Sequence, residues 1–240
     1  MFARSLALIL SGIVSGCAGP AKFQLPGEHP LEASQTLRSL CSAGTTSQGA
    51  SATVSGAAWL KAESTEASGQ FPAEILVKGK QVTMEVTNLL GGREALIRVD
   101  GDRVEIQRPG RPTELARDHW AGIPLKWSVD LLRGRPPCPT PSDAWTRSTR
   151  WVDAEMGILE FSESAKSGRP TVFRYRLTRI DGRIVASSVD VETGGASTHF
   201  EFSDYQSQDG TYRKFEAVSA LGKVRLKWKH REFSPAHSES

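Results

Sequence analysis

The sequence predicts a mainly β (α+β) protein: a single strongly curved antiparallel sheet whose concave side is covered by one or two helices. Three observations carry this. Apolar and polar residues alternate with period two through two long blocks, about residues 54–107 and 151–233. Gly- and Asp-containing turns punctuate both blocks, and one amphipathic segment of helical spacing lies between them. With 240 residues, 38% of them hydrophobic and 24% charged, the chain suffices for one sizeable domain. Its formal charge of +3, from 30 basic and 27 acidic residues, is too balanced for a nucleic-acid partner, which calls for a basic stripe with interleaved aromatics. Arg174, Arg176 and Arg179 read as a solvated strand face.

The first residues have the layout of an export signal. Arg4 supplies a positive start, and Leu6 to Val14 form an apolar run too short to span a bilayer, which takes roughly 20 helical residues. The run ends in Val14-Ser15-Gly16-Cys17, which resembles the lipobox of bacterial lipoproteins; this implies acylation of Cys17 and removal of residues 1–16. The alternative is an ordinary secretory signal with an incidental cysteine. Ala18 after the cysteine, rather than Asp, favours the outer over the inner membrane by analogy with enterobacterial sorting. No other segment has the character of a span, so the expected anchor is the lipid. Cys41 and Cys138 then remain in an oxidising compartment, where an even pair is most simply a disulfide; two buried free thiols are the other possibility. No metal-ligand spacing occurs, and no cofactor is expected.

Residues 17–30, with Pro20, Pro26, Pro30, Gly19 and Gly27, read as a lipidated tether reaching about 40 Å. A domain over 31–233 and a flexible tail over 234–240 follow. Leu37, Leu40 and Cys41 mark the face of a short helix over Leu31 to Ser42, and a Ser/Thr/Gly-rich link leads to about Ala52. Strands are predicted over 54–62, 71–78, 80–87, 94–99 and 103–107, an antiparallel meander. The amphipathic segment runs from Trp120 to Gly134. Pro124 suits a first helical position and Gly134 the residue after the last turn, with Leu125, Val129 and Leu132 in the buried stripe and a Lys126–Asp130 pair opposite. In the second block Phe173, Tyr175 and Leu177, then Val185, Val189 and Val191, then Thr198, Phe200 and Phe202 form one-sided patterns. Val224, Leu226 and Trp228 face away from Lys223, Arg225, Lys227 and Lys229.

One turn is out of keeping with its position. Val82, Met84 and Val86 alternate before Asn88-Leu89-Leu90-Gly91-Gly92, and Ala95, Ile97 and Val99 alternate after it, so a hairpin tip carries two leucines. Leaving a leucine in water rather than burying it costs roughly 1.5–3 kcal/mol. Either a neighbouring loop or helix covers Leu89 and Leu90, or the tip touches a membrane or a lipid chain.

Taken in order, several of these features resemble the LolB-type outer-membrane lipoprotein receptor of the LolA/LolB-like superfamily. They are the lipobox at Cys17; Thr87-Asn88-Leu89-Leu90-Gly91, similar to that family's Thr-Asn-Pro-Leu-Gly turn; Gly122-Ile123-Pro124-Leu125 with Asp130-Leu131-Leu132-Arg133-Gly134; and the strand Lys223-Val224-Arg225-Leu226-Lys227. The resemblance implies an incomplete β-barrel with a helical lid over a hydrophobic cavity that takes acyl chains of lipoproteins. It also implies a LolA-like periplasmic carrier as partner, a periplasm-facing place on the outer membrane, and a protruding leucine, here Leu90, that helps place the cargo. A monomer is expected. Candidate cavity residues are Trp59, Ile75, Val77, Met84, Val86, Ile97, Val99, Trp127, Phe173, Tyr175, Leu226 and Trp228, for each of which plain core packing is the competing reading. The chain departs from the pattern at Leu89, where the family has Pro and which is expected to loosen the turn. It also departs in the Cys41/Cys138 pair and in an Arg/Pro-rich insert over 133–149.

An enzyme is not expected: no nucleophile elbow, zinc-binding His-Glu-x-x-His, phosphate-cradling Gly loop or close carboxylate pair is present, and His119, His199 and His230 are scattered. The second functional reading is a tethered half-barrel that binds a protein or an envelope polymer, because fold alone does not fix function.

Overall fold

The computed structural model describes residues 30–42, 53–65, 68–101, 103–116, 119–120, 123–139, 145–151, 156–163 and 170–234. The export signal, the Cys17 lipobox, the tether before residue 30 and the tail after Ser234 lie outside the described residues.

Helix α1 (Pro30–Ser42) comes first, with Ala33, Thr36 and Leu40 buried and Leu37 partly so. The first meander follows: β1 (Thr53–Ser64), β2 (Ser68–Lys78), β3 (Gln81–Thr87), β4 (Arg93–Asp100), β5 (Arg103–Gln107) and β6 (Glu114–Ala116). Then come a two-residue ribbon, β7 (His119–Trp120) with β8 (Ile123–Pro124), a 3-10 turn over Leu125–Trp127 and helix α2 (Ser128–Leu132). The second meander comprises β9 (Trp145–Trp151), β10 (Met156–Glu163), β11 (Thr171–Ile180), β12 (Arg183–Thr193), β13 (Ala196–Gln206), β14 (Thr211–Ser219) and β15 (Gly222–Ser234).

Thirteen of these strands form one sheet in the order β6-β5-β4-β3-β2-β1-β15-β14-β13-β12-β11-β10-β9, with antiparallel neighbours throughout. The pairing of β1 with β15 welds the two meanders together, and the outermost strands β6 and β9 do not pair, so the sheet stays open. This is the single antiparallel sheet with two helices that the alternation predicts, and its open edges are consistent with the incomplete barrel that the resemblance implies. One continuous apolar core joins the inward residues of nearly every strand to Leu125, Trp127, Leu131 and Leu132.

The lid differs from its prediction. Pro124 does not open a helix, because Ile123–Pro124 pairs with His119–Trp120; a single 3-10 turn and five α-helical residues follow. The helix ends as expected in a Schellman arrangement. The Gly134 N–H donates to Leu131 O at 3.0 Å, the Arg135 N–H to Asp130 O at 2.9 Å, and Gly134 takes φ +75°, which glycine adopts without penalty. Asp130 pairs with Arg135, at 2.6 Å; the expected Lys126–Asp130 pair falls on a side chain outside those described.

The meander gives the sheet two distinct ends. The β3–β4 turn with Leu89 and Leu90 lies at one, together with the β14–β15 turn and exposed Leu221. The β2–β3 turn at Gly79, the β11–β12 turn and the start of β14 lie at the other. Residues 133–138 cross this second end as a strap.

Candidate functional site

At the first end Leu89 is 76% and Leu90 97% exposed. The backbone beneath them is fixed by Asn88. Its Oδ1 accepts from Leu90 N–H at 3.0 Å and Gly92 N–H at 2.8 Å, its Nδ2 donates to Glu94 at 3.0 Å, and its own N–H donates to Gly92 O at 2.8 Å. Gly91 takes φ +85°, and a Cβ on Gly92 would come within 2.8 Å of the Asn88 amide. The turn is thus braced by side-chain chemistry rather than loosened by Leu89, and an Arg93–Glu85 pair at 2.9 Å holds the hairpin just behind it.

Behind the tip the inner face of β3 and β4 is a ladder of buried apolar pairs: Val86 opposite Ala95, Met84 opposite Ile97, Val82 opposite Val99. This ladder forms one wall of the interior. Leu60 and Leu226, directly paired on β1 and β15, continue it, and Leu125, Leu131 and Leu132 lie over it. The cavity between them measures about 30 Å³. Sites that hold a small molecule measure about 300–1,000 Å³. On the other side of the lid Trp127 meets Phe173 and Phe200 edge-on, each at a centroid separation of 5.9 Å, and fills the space over β11 and β13. Among the described residues the space beneath the lid is thus largely filled by side chains.

The strap anchors one side of the lid. Arg133 donates to Gly79 O at 2.9 Å, Gly134 O accepts from Tyr212 N–H at 2.8 Å, and Arg135 donates to Cys41 O at 3.0 Å as well as to Asp130. Tyr175 Oη donates to Pro137 O at 2.8 Å, and Cys138 is disulfide-bonded to Cys41 with a Cα separation of 5.9 Å. The expected Cys41–Cys138 bridge is formed, and it ties α1 to the strap. These anchors hold the C-terminal side of α2 and gather at the end remote from the leucines. Burial raises the Asp130 carboxyl above its ordinary value despite Arg135 and Arg133, and pushes the Tyr175 phenol well up, with Asp130 adding to the rise. Beside the strap a second, open groove of about 530 Å³ runs between α1 and the β11–β12 and β13–β14 turns, with Thr36, Leu40, Arg183 and Tyr205 among its walls.

Of the predicted cavity residues, Ile75, Val77, Met84, Val86, Ile97, Val99, Trp127, Phe173, Tyr175, Leu226 and Trp228 share one buried core, and Met84, Ile97, Val99 and Leu226 line the small cavity itself. Trp59 does not belong to it. It alternates with Lys61 and Glu63 on the outer face, half-buried, with Lys229 Nζ 4.3 Å from its ring centroid; Ala58, Leu60 and Ala62 point inward instead. Sequence reasoning missed the interior arginines. Arg231 was hidden by a bulge: Ala57 pairs with His230 and Ala58 with Trp228, so Lys229 has no partner and the inward parity passes from Trp228 to Arg231 and Phe233. The break in alternation at Lys229-His230 was the available signal. The Arg231 side chain is 3% exposed, donates to Tyr212 O at 2.8 Å and to Thr211 Oγ1, and is brought down to about 10 by desolvation.

No protein-family model matches the sequence, and no curated protein matches it. Solved structures do match the fold, and two of them are the following. A LolA superfamily protein from Nitrosomonas europaea aligns with a TM-score of 0.53 at 8% identity, covering 83% of this chain and 92% of that one. A domain assigned to outer membrane lipoprotein sorting from Vibrio parahaemolyticus aligns with a TM-score of 0.52 at 11% identity, covering 88% and 94%. The chain shares the fold of these LolA-superfamily and lipoprotein-sorting structures, an open antiparallel sheet closed on one side by helices.

Proposed function

We propose that this chain is a lipoprotein anchored through Cys17 to the periplasmic side of the outer membrane. It receives acylated proteins from a soluble LolA-like carrier, takes their acyl chains between sheet and lid, and delivers them to the bilayer, without catalysis and as a monomer. One observation carries the reading: the apolar ladder of the interior wall ends in a rigid turn that holds Leu90 97% exposed. A hairpin tip braced by five hydrogen bonds from and to Asn88 so as to show two leucines to solvent is built for an apolar medium outside the protein. Burial of an acyl chain contributes about 0.8 kcal/mol per methylene, so lid displacement can be offset by a long chain without any polar recognition.

The test is transfer of a fluorescent lipoprotein from its soluble carrier to liposomes bearing this protein, with wild type and Leu90→Glu in parallel. Transfer that depends on the protein and is lost in a folded Leu90→Glu variant supports the reading. The cavity of about 30 Å³ favours the second reading, a tethered half-barrel that binds a protein or envelope polymer through its surface. That reading expects no transfer by the acylated wild type and no effect of the substitution.

A further inference from the structure

Trp228 is 2% exposed on the inner face of β15, and its Nε1–H is enclosed with no hydrogen-bond acceptor among the described residues. A buried donor left unsatisfied costs about 1–3 kcal/mol, and indole N–H groups in cores are ordinarily paired. The position of this one in the fold is specific. It stands one inward step beyond Leu226, which lines the small cavity, and across from Ala58 on β1. The Arg231 guanidinium lies over the ring, 5.8 Å from its centroid, held by Tyr212 O and Thr211 Oγ1. Gly134 covers that guanidinium so closely that a Cβ there would come within 2.3 Å of Nη1. The interior thus has a polar end beneath the corner where α2 becomes the strap: an N–H donor, with a fixed cation next to it, at the edge of an otherwise apolar wall.

We propose that Trp228 Nε1–H is the hydrogen-bond donor for the carbonyl oxygen of a bound acyl chain whose hydrocarbon fills the space beneath the lid. The inference rests on the acyl-binding reading and adds to it a register: the chain lies along the Val82–Val99 and Leu60–Leu226 pairs with its carbonyl at the strap end. The neighbouring guanidinium strengthens the site by its positive potential while its own hydrogens stay on Tyr212 and Thr211.

The test compares two probes of equal chain length, a dipalmitoyl-glyceryl cysteine peptide and its dialkyl-ether counterpart, binding to the full mature protein. The two probes differ in their glyceryl carbonyls alone. Wild type is expected to prefer the ester probe about tenfold, and Trp228→Phe to bind both with the ether probe's affinity. A folded wild type that binds both probes equally overturns this inference and leaves the acyl-binding reading standing; one that binds neither overturns both. A second measurement needs no variant. The Nε1–H resonance of Trp228 in 15N-labelled wild type is expected to move downfield and exchange more slowly with the ester probe than with the ether probe, and identical spectra would likewise overturn the assignment.

Discussion

The Asn88 side chain accepts the backbone N–H of Leu90, at 3.0 Å, and so orients the most exposed large apolar residue described in the chain. The same oxygen accepts Gly92 N–H, so one amide closes the tip from both sides. Asn88→Ala therefore removes the brace and leaves both leucines in place. The expected loss of stability is about 0.5–2 kcal/mol, the range for a side-chain bond to turn or cap N–H groups. Liposome transfer is expected to fall partway towards the Leu90→Glu level, because a mobile tip pays ordering entropy on insertion. Transfer unchanged in Asn88→Ala would show that leucine content alone, not its presentation, matters.

Trp127 is the wedge between lid and second meander, edge-on to Phe173 and Phe200. Trp127→Ala is expected to destabilise the fold by about 3–5 kcal/mol and to leave an apolar void beneath the lid. If lid displacement limits uptake, a fluorescent acyl probe should bind this variant more tightly than wild type, since less of its affinity is spent on reaching the open state. Weaker binding by a folded Trp127→Ala would make Trp127 part of the acyl contact surface rather than a plug. Urea unfolding and probe titration at a temperature where the variant stays folded read both effects.

Much of this architecture is legible in the sequence because alternation is a direct imprint of one-sided burial. Val82, Met84 and Val86 could only be the inner face of a strand, and Leu89 and Leu90 stood out because they broke a pattern set by their neighbours. Trp59 was misplaced because size and apolarity suggested the interior, whereas its parity with Lys61 and Glu63 puts it outside. Arg231 escaped because a one-residue bulge inverts parity without a composition signal of its own. The strap was unreadable for a different reason: an Arg/Pro-rich stretch resembles a solvated loop, and only the tertiary placement of Gly79, Cys41 and Tyr212 carbonyl and amide groups gives its arginines and glycine their burial.

The Cys41–Cys138 bridge closes a loop of 97 residues, and chain entropy assigns about 4–5 kcal/mol to a loop of that size. The double variant Cys41→Ser/Cys138→Ser is expected to lose about that much in denaturant unfolding. Since the bridge pins α1 to the strap, amide hydrogen exchange is expected to rise in 31–42 and 128–138 and to stay unchanged in the hairpin of β3 and β4. Uniform acceleration across the sheet would instead place the effect wholly in the unfolded chain.

Asp130 makes the strap end pH-dependent. Burial raises its folded-state carboxyl above the ordinary value of 3.8, with Arg135 and Arg133 opposing but not cancelling the rise. A folded-state value above the unfolded one means that the native protein binds more protons in the interval between them, so this contribution is complete below about 3.8 and is lost as pH rises through the folded value. The stability of wild type relative to Asp130→Asn should therefore decline as pH climbs from about 3.8 towards neutrality, then level off. Asn keeps an acceptor for Arg135, so the comparison isolates the charge. Urea midpoints of the two proteins across that range check it. A difference that grows with pH would mean that the Arg135 ion pair outweighs desolvation, and that the strap is held by charge rather than in spite of it.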